Sequence, residues 1–61
     1  MNENEVIERL NEHLKARVMQ NGSLNPRDKY FCIHYVEDFL DMTKEQAIQF
    51  LKDNIPMVMN L

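Results

Sequence analysis

The run from Tyr30 to Val36, Tyr-Phe-Cys-Ile-His-Tyr-Val, is the feature that most constrains the fold of this chain. As a helix it would carry apolar side chains around nearly its whole circumference. A surface helix of a small protein is normally apolar along one stripe only. Other parts of the chain, or a second chain, must cover the remaining faces, and the run therefore predicts association with another protein chain.

The short length of the chain points in the same direction. With 61 residues it is one domain, and a domain of about 60 residues buries only about 60% of the surface that its unfolded chain exposes. The single cysteine, Cys32, has no partner for an internal disulfide, and no pair of Cys-x-x-Cys elements exists to hold zinc. Oligomerisation or partner binding is the expected source of additional stability, and we expect a homodimer.

Composition narrows the class of protein. Seven Lys and Arg residues against ten Asp and Glu residues give a net charge of −3. This balance disfavours a dedicated nucleic-acid binder and is too mild for a disordered acidic tail. The first five residues lack the features of a signal peptide, and no apolar run approaches the roughly 20 residues needed to span a bilayer. We expect a cytoplasmic protein that does not enter a membrane, and one free thiol agrees with that location.

The first of three expected helices runs from about residue 3 to residue 20. Its apolar residues recur at helical spacing, and charged residues fill the other side. Asn2 and Glu5 have the spacing of a capping pair, and Gly22, the only glycine, stands where a left-handed C-cap is needed. The positions assigned to the core are Val6, Ile7, Leu10, Leu14 and Val18.

The second helix is predicted from residue 26 to about residue 41. Asn25 is a good N-cap, Pro26 suits the first helical position, and Asp28 complements the positive helix end. The residues of the central run also favour a β-strand. The apolar spacing nevertheless continues at 3.6 residues to the end of the segment, and no turn pair offers a strand partner, so we favour the helix.

The third helix is predicted from residue 43 to residue 54. Thr43 and Gln46 have the spacing of a capping box, and Pro56 ends the helix. Residues 56 to 61 then form an apolar tail, which either folds back over the helices or docks on a partner. The expected fold is a single all-α domain, a small bundle of three short helices that dimerisation completes.

Residues capable of catalysis or metal binding are few. A thiolate beside an imidazole would be a nucleophile, and Cys32, His34 and His13 are the candidates. Residues two apart on a helix do not face one another, however, so Cys32 and His34 cannot pair. A metal site built from these three residues with Asp38 would need a closed geometry that the spacing does not provide. We expect no enzyme activity, no metal and no cofactor.

A DNA-binding function stays open as an alternative because a short turn around Met42 joins the second and third helices, as in a helix-turn-helix motif. The third helix would then read the DNA. Phosphate contacts need a basic footprint, whereas the exposed side of this helix carries charges of mixed sign. The alternative is a dimeric DNA-binding regulator of phage or plasmid type, and the residues concerned are Lys44, Glu45, Gln49, Lys52 and Asp53.

Two groups of residues suggest a family. One is the segment Met42-Thr43-Lys44-Glu45-Gln46-Ala47, followed by Phe50-Leu51, and the other is the apolar ladder Tyr30, Cys32, Tyr35 and Phe39. On these residues the chain resembles, from residue 26 to residue 51, the small phycobilisome degradation proteins of cyanobacteria and red-algal plastids. The resemblance implies a dimeric adaptor, because the subunits of that family pair into a four-helix dimer. The chain lacks the basic and aromatic C-terminal end with which the family holds its target, so no target-binding residue is transferred.

The predicted function is that of a small protein–protein interaction module, an adaptor, inhibitor or regulator that acts through apolar helix faces. Aromatic side chains are the expected anchors because they provide much contact area for little lost rotamer entropy. The opposite interpretation makes the aromatic residues the ordinary core of a monomer. The predicted partner-binding residues are Tyr30, Phe31, Tyr35, Phe39, Met57 and Met59.

Overall fold

The structure, a computed structural model, describes residues 1–61 and contains three α-helices, α1 (Glu3–Asn21), α2 (Pro26–Leu40) and α3 (Lys44–Asn54). A 3-10 helix, Pro56–Asn60, follows α3, and there is no strand. The all-α architecture predicted from the sequence is confirmed, and each helix end lies within one residue of its expected position. The aromatic run is helical, so the strand interpretation of that segment is wrong.

Side chains just outside each helix determine where it begins. Asn2 Oδ1 accepts a hydrogen bond from the backbone N–H of Glu5 at 2.8 Å, and Asn25 likewise caps α2. Before α3, Thr43 Oγ1 accepts from the N–H of Gln46 at 3.2 Å, while the N–H of Thr43 donates to Gln46 Oε1 at 2.9 Å. These bonds satisfy amides that lack a partner within the helix. The three N-caps predicted from the sequence are confirmed.

The first two helices end at residues in the left-handed region. Gly22 has φ 83° and donates its N–H to the carbonyl of Val18 at 2.7 Å. Asp41 has φ 52°, a conformation that Asp tolerates better than most residues, and its N–H bonds to the carbonyl of Glu37. Asp41 is therefore the cap of α2, and the helix ends one residue earlier than predicted.

We expect Thr43→Ala to lower the free energy of unfolding by about 1 kcal/mol, because the amide of Gln46 loses its partner. Thr43→Ser keeps the hydroxyl and should be nearly silent. Urea titration followed by circular dichroism measures both variants. Equal losses for Ala and Ser would show that the hydroxyl of Thr43 does not stabilise the start of α3.

The core lies where one face of each helix meets the C-terminal segment. Cys32, Ile33 and Val36 face it from α2, so the buried stripe of the aromatic run is narrow and most of its large side chains lie outside it. The remaining buried apolar residues come from α1, α3 and the tail, and they are Val6, Leu10, Leu14, Ala47, Phe50, Leu51, Ile55 and Val58.

The prediction that Val18 belongs to the core is wrong, because 40% of its surface is exposed. Each step of four residues turns a helix by about 40° beyond a full turn. Three such steps separate Val6 from Val18, so Val18 has rotated by roughly 120° out of the face that contacts α2. Ile7 is half-buried at the edge of the core.

The apolar tail folds back, mainly over α2 and α3. Val58 is fully buried, and Met59 and Leu61 pack against the core while remaining partly exposed. Lys29 Nζ donates to the backbone carbonyl of Leu61 at 3.0 Å and ties the end of the chain to α2. The tail thus supplies part of the core that three short helices could not complete alone.

Candidate protein interaction surface

A row of aromatic rings lies along the seam between α1 and α2. His13 of α1 stacks on Phe31, with ring centroids 4.0 Å apart and planes inclined by 18°. Along α2, Phe31 and Tyr35 have centroids 5.9 Å apart, and Tyr35 and Phe39 have centroids 4.5 Å apart. The three α2 residues are spaced by one helical turn and so lie on one side of the helix. We call His13, Phe31, Tyr35 and Phe39 the aromatic strip.

The aromatic strip is open to solvent over much of its length. Phe31 and Phe39 are 40% and 47% exposed, and His13 and Tyr35 are partly buried. The Tyr35 hydroxyl lies 3.5 Å from the sulfur of Met1, which is itself exposed. Phe31 and Phe39 are exposed and do not belong to the buried core, whereas Tyr35 is partly buried and packs against it. Contiguous exposed aromatic rings are typical of interaction sites.

A partly buried ion pair links α1 to α2. Arg17 Nε donates to Asp28 Oδ1 at 3.1 Å, and Asp28 Oδ2 accepts from the backbone N–H of Asn25 at 2.9 Å. Asp28 is almost fully buried, yet both carboxylate oxygens have partners. The sequence suggested only that Asp28 complements the helix end. In the structure it also holds α1 beside α2, one turn of α1 away from the stack of His13 on Phe31.

These bonds make the ion pair sensitive to acid. The hydrogen bond from the Asn25 amide, aided by Arg17, holds the pKa of Asp28 below its ordinary value of 3.8, although burial acts in the opposite direction. A carboxyl whose pKa is lower in the folded state than in the unfolded state stabilises the fold at every pH above its unfolded pKa. That stabilisation is lost as the pH falls from about 3.8 through the folded pKa.

We expect the urea midpoint of the wild-type protein to fall as the pH drops from about 4 through the lowered pKa of Asp28, and part of that fall to disappear in Asp28→Asn. The amide cannot titrate, so the variant should be less stable than the wild type near neutral pH and closer to it in acid. Urea titrations at several pH values measure this difference. A constant difference between the two proteins at every pH would show that Asp28 does not titrate with folding.

The other predicted partner-binding residues lie away from the aromatic strip. Tyr30 is 52% exposed, but the helical period places it beside His34 on another side of α2. Met57 is 56% exposed, and Met59 is only partly exposed. The structure therefore brings three of the six predicted residues together, Phe31, Tyr35 and Phe39. His13, which the sequence analysis did not place at this surface, joins them.

A second, smaller apolar area surrounds Met57. Leu14 and Val18 of α1 lie across from it, and the three residues form an open groove of about 320 Å³ with Asn11 and Lys15 at its rim. Val18, which does not enter the core, therefore lines this groove. It has no ordered aromatic contacts of the kind found in the aromatic strip.

Charge is distributed unevenly along the pair of helices α1 and α2. The contacts of Arg17 with Asp28 and of His13 with Phe31 show that the two helices run antiparallel. Residues 13–33 therefore form one end of the pair and carry four Lys or Arg residues and one Asp. Residues 1–12 and 34–41 form the other end and carry seven Asp or Glu residues and one Arg. The aromatic strip runs from the basic end to the acidic end.

The candidates for catalysis do not form a reactive group. Cys32 is fully buried, and burial, with a contribution from the nearby Asp28 carboxylate, raises the pKa of its thiol to about 11. Its thiol is therefore protonated near neutral pH and has no access to a substrate. His34 points to solvent and lies 3.0 Å from Glu37 Oε1. No three His, Cys, Asp or Glu side chains come together as a metal site would require.

None of the helices has both the length and the apolar character needed to cross a lipid bilayer.

Comparisons with protein-family models, curated proteins and solved structures find no match to this chain. The resemblance to the phycobilisome degradation proteins stays a prediction. The candidate site consequently depends on the geometry of the aromatic strip and on the charges around it.

Proposed function

We propose that this chain acts as a small interaction module, an adaptor, inhibitor or regulator that binds a protein surface through the aromatic strip and has no catalytic activity. The observation that carries the proposal is the continuous row of rings from His13 to Phe39, of which Phe31 and Phe39 are the most exposed members. Aromatic side chains at the centre of an interface commonly contribute about 2 kcal/mol or more each.

The position of the strip on a helix supports this function. Phe31, Tyr35 and Phe39 are on a helix rather than a loop, and each ring contacts the next. The Arg17–Asp28 pair holds the neighbouring helix in place. A partner would therefore meet rings that are already ordered, and binding would lose less conformational entropy than binding to a flexible segment.

The proposed location is the cytoplasm. Cys32 is a free thiol in the core, and a reducing compartment suits an unpaired cysteine. Expression with a fluorescent label followed by cell fractionation tests the location separately from the binding function.

Site-specific photocrosslinking tests the function. A benzophenone amino acid replaces Phe39 in the full chain, which is expressed in the cells that produce it naturally. The matched control carries the same group in place of Tyr30, an equally exposed aromatic residue on another side of α2. We expect a discrete crosslinked protein, either a second copy or a different protein, from position 39 only. No crosslink at position 39, or the same products from both positions, would contradict the proposal.

The dependence on salt separates this function from DNA binding. Contacts between aromatic rings and a protein partner persist when salt increases, whereas binding driven by phosphates weakens steeply. The exposed residues of α3 have mixed charge, and the basic end of the α1–α2 pair is interrupted by the aromatic strip. We therefore expect the crosslink from position 39 to form with nearly unchanged yield when a cell lysate is brought to about 0.5 M salt before irradiation.

A further inference from the structure

We propose that the pocket at the basic end of the aromatic strip binds a carboxylate, the side chain of an Asp or Glu residue in the protein that covers the strip. The pocket is open to solvent, has a volume of about 180 Å³ and is lined by His13, Arg17, Arg27, Asp28 and Phe31. We call it the basic pocket. The inference rests on the proposed function, because it names the chemistry by which the partner is recognised at one end of the strip.

Arg17 is held in the basic pocket and keeps free hydrogen-bond donors. Its Nε donates to Asp28 Oδ1 at 3.1 Å, and Asp28 is itself almost fully buried. A guanidinium carries five N–H donors, and this bond uses only the one at Nε. The two terminal nitrogens form no hydrogen bond within the chain, and 28% of the side chain is exposed. A carboxylate would therefore meet a guanidinium that is already positioned, so binding costs less side-chain entropy.

Arg27 brings a second guanidinium to the same pocket from the first turn of α2. It is exposed and forms no ion pair within the chain. Two positive groups that line one small pocket repel each other, and an anion between them replaces that repulsion with two attractions. A guanidinium also matches the planar geometry of a carboxylate, to which it can donate two parallel hydrogen bonds. The basic pocket thus offers the donors that a carboxylate requires.

The net charge of the basic pocket favours a carboxylate over a phosphate group. Arg17 and Arg27 contribute two positive charges and Asp28 one negative charge, which leaves a net charge of +1 while His13 is neutral. Asp28 stays ionised near neutral pH, since its bond from the Asn25 amide, aided by Arg17, lowers its pKa. A carboxylate neutralises the remaining charge. A phosphate monoester carries about −1.5 to −2 charges at pH 7 and would leave excess negative charge beside the Asp28 carboxylate.

Phe31 gives the partner an apolar contact beside the acid. Its ring lines the pocket and stacks on His13 at 4.0 Å, and the residue is 40% exposed. An exposed ion pair contributes little to binding because water screens it. An apolar group that covers Phe31 would exclude water from the mouth of the pocket and so strengthen the attraction between the carboxylate and the two arginines. The basic pocket therefore selects an acidic residue that has an apolar neighbour.

NMR titration of the isotope-labelled full chain measures this selectivity. The probe is a dipeptide of glutamate and phenylalanine with both ends blocked, and the matched control has glutamine, which has nearly the same shape and no charge. The signals followed are the backbone amide of Phe31 and the side-chain Nε–H groups of Arg17 and Arg27. We expect the glutamate probe to bind at roughly millimolar concentration and the glutamine probe to bind about fivefold or more weakly. A third probe, with phosphoserine in place of glutamate, should bind more weakly than the glutamate probe.

Two arginine variants test whether the probe binds in the basic pocket. Arg27→Gln should weaken binding of the glutamate probe about threefold to fivefold and leave binding of the glutamine probe unchanged. The fold should not change, because Arg27 is exposed and has no ion-pair partner in the chain. Arg9→Gln is the matched control, since Arg9 is an exposed arginine of α1 that does not line the pocket. It should change the affinity for either probe by less than about 1.5-fold.

Three results would overturn the inference. Equal affinities for the glutamate and glutamine probes would show that the pocket does not recognise a carboxylate. Equal losses in the two variants would show that the probe responds to the overall charge of the protein. A phosphoserine probe that binds more tightly than the glutamate probe would assign the pocket to a phosphate group instead.

The proposed function fails separately. If position 39 crosslinks to a protein while the glutamate probe is not preferred, the function stands and this inference is lost. If the glutamate probe is preferred and position 39 gives no crosslink, the carboxylate site stands and the proposed function is lost.

Discussion

Removal of residues 57–61 is expected to lower the free energy of unfolding by about 3 kcal/mol. Val58 is fully buried, and burying one Val side chain contributes about 1.5–3 kcal/mol. Met59 and Leu61 pack against the core, and the bond from Lys29 to the carbonyl of Leu61 is lost with them. A domain of this size has a total stability of only about 3–5 kcal/mol. The truncated chain should therefore be largely unfolded at 37 °C.

Thermal unfolding followed by circular dichroism measures the effect of the truncation. Met57→Ala is the matched control, because Met57 belongs to the removed segment but is mostly exposed. This variant should change the free energy of unfolding by no more than about 0.5 kcal/mol. If the truncated chain melted like the full chain, the contacts of Val58 would contribute nothing to stability.

Leu10→Ala is expected to have an effect of similar size, with a loss of about 2–5 kcal/mol. Leu10 is fully buried at the centre of the face with which α1 contacts the rest of the molecule. A cavity at this point weakens the attachment of α1 and would also loosen His13, which stacks on Phe31 from the same helix. The variant should lose both stability and the ordered part of the aromatic strip.

Two further variants of α1 make this result interpretable. Met19→Ala removes a similar volume from an exposed position of the same helix and should be nearly silent. Leu10→Met retains most of the volume and should cost less than about 1.5 kcal/mol. Urea titration compares the three variants. Equal losses for Leu10→Ala and Met19→Ala would mean that α1 is not held by its buried face.

The parts of the fold that could be predicted from the sequence depend on neighbouring residues. The capping box of Thr43 with Gln46 and the left-handed turn at Gly22 each involve atoms within about four residues of one another. Such interactions act before any tertiary contact exists, and their spacing is directly visible in the sequence. Local interactions of this kind therefore predict the helix boundaries to within one residue.

The candidate site could be predicted only in part, because it depends on how two helices meet. Phe31, Tyr35 and Phe39 share a side of α2 by spacing alone, so they could be identified. The role of His13 depends on how α1 is aligned along α2, and contacts between residues far apart in the sequence set that alignment. The bond between Arg17 and Asp28, 11 residues apart, is one of them. The exposure of Val18 could not be predicted for the same reason. Helical periodicity does not indicate at which residue the contact of α1 with α2 ends.

The short loops between the helices also affect the rate of folding. Four residues separate α1 from α2, and three separate α2 from α3, so closing these loops costs little chain entropy. Helical bundles with such local contacts fold in microseconds to milliseconds. A chain with a small core opens often, and this one would close again quickly. Cleavage by a protease would therefore follow the equilibrium fraction of open molecules rather than the rate at which they unfold.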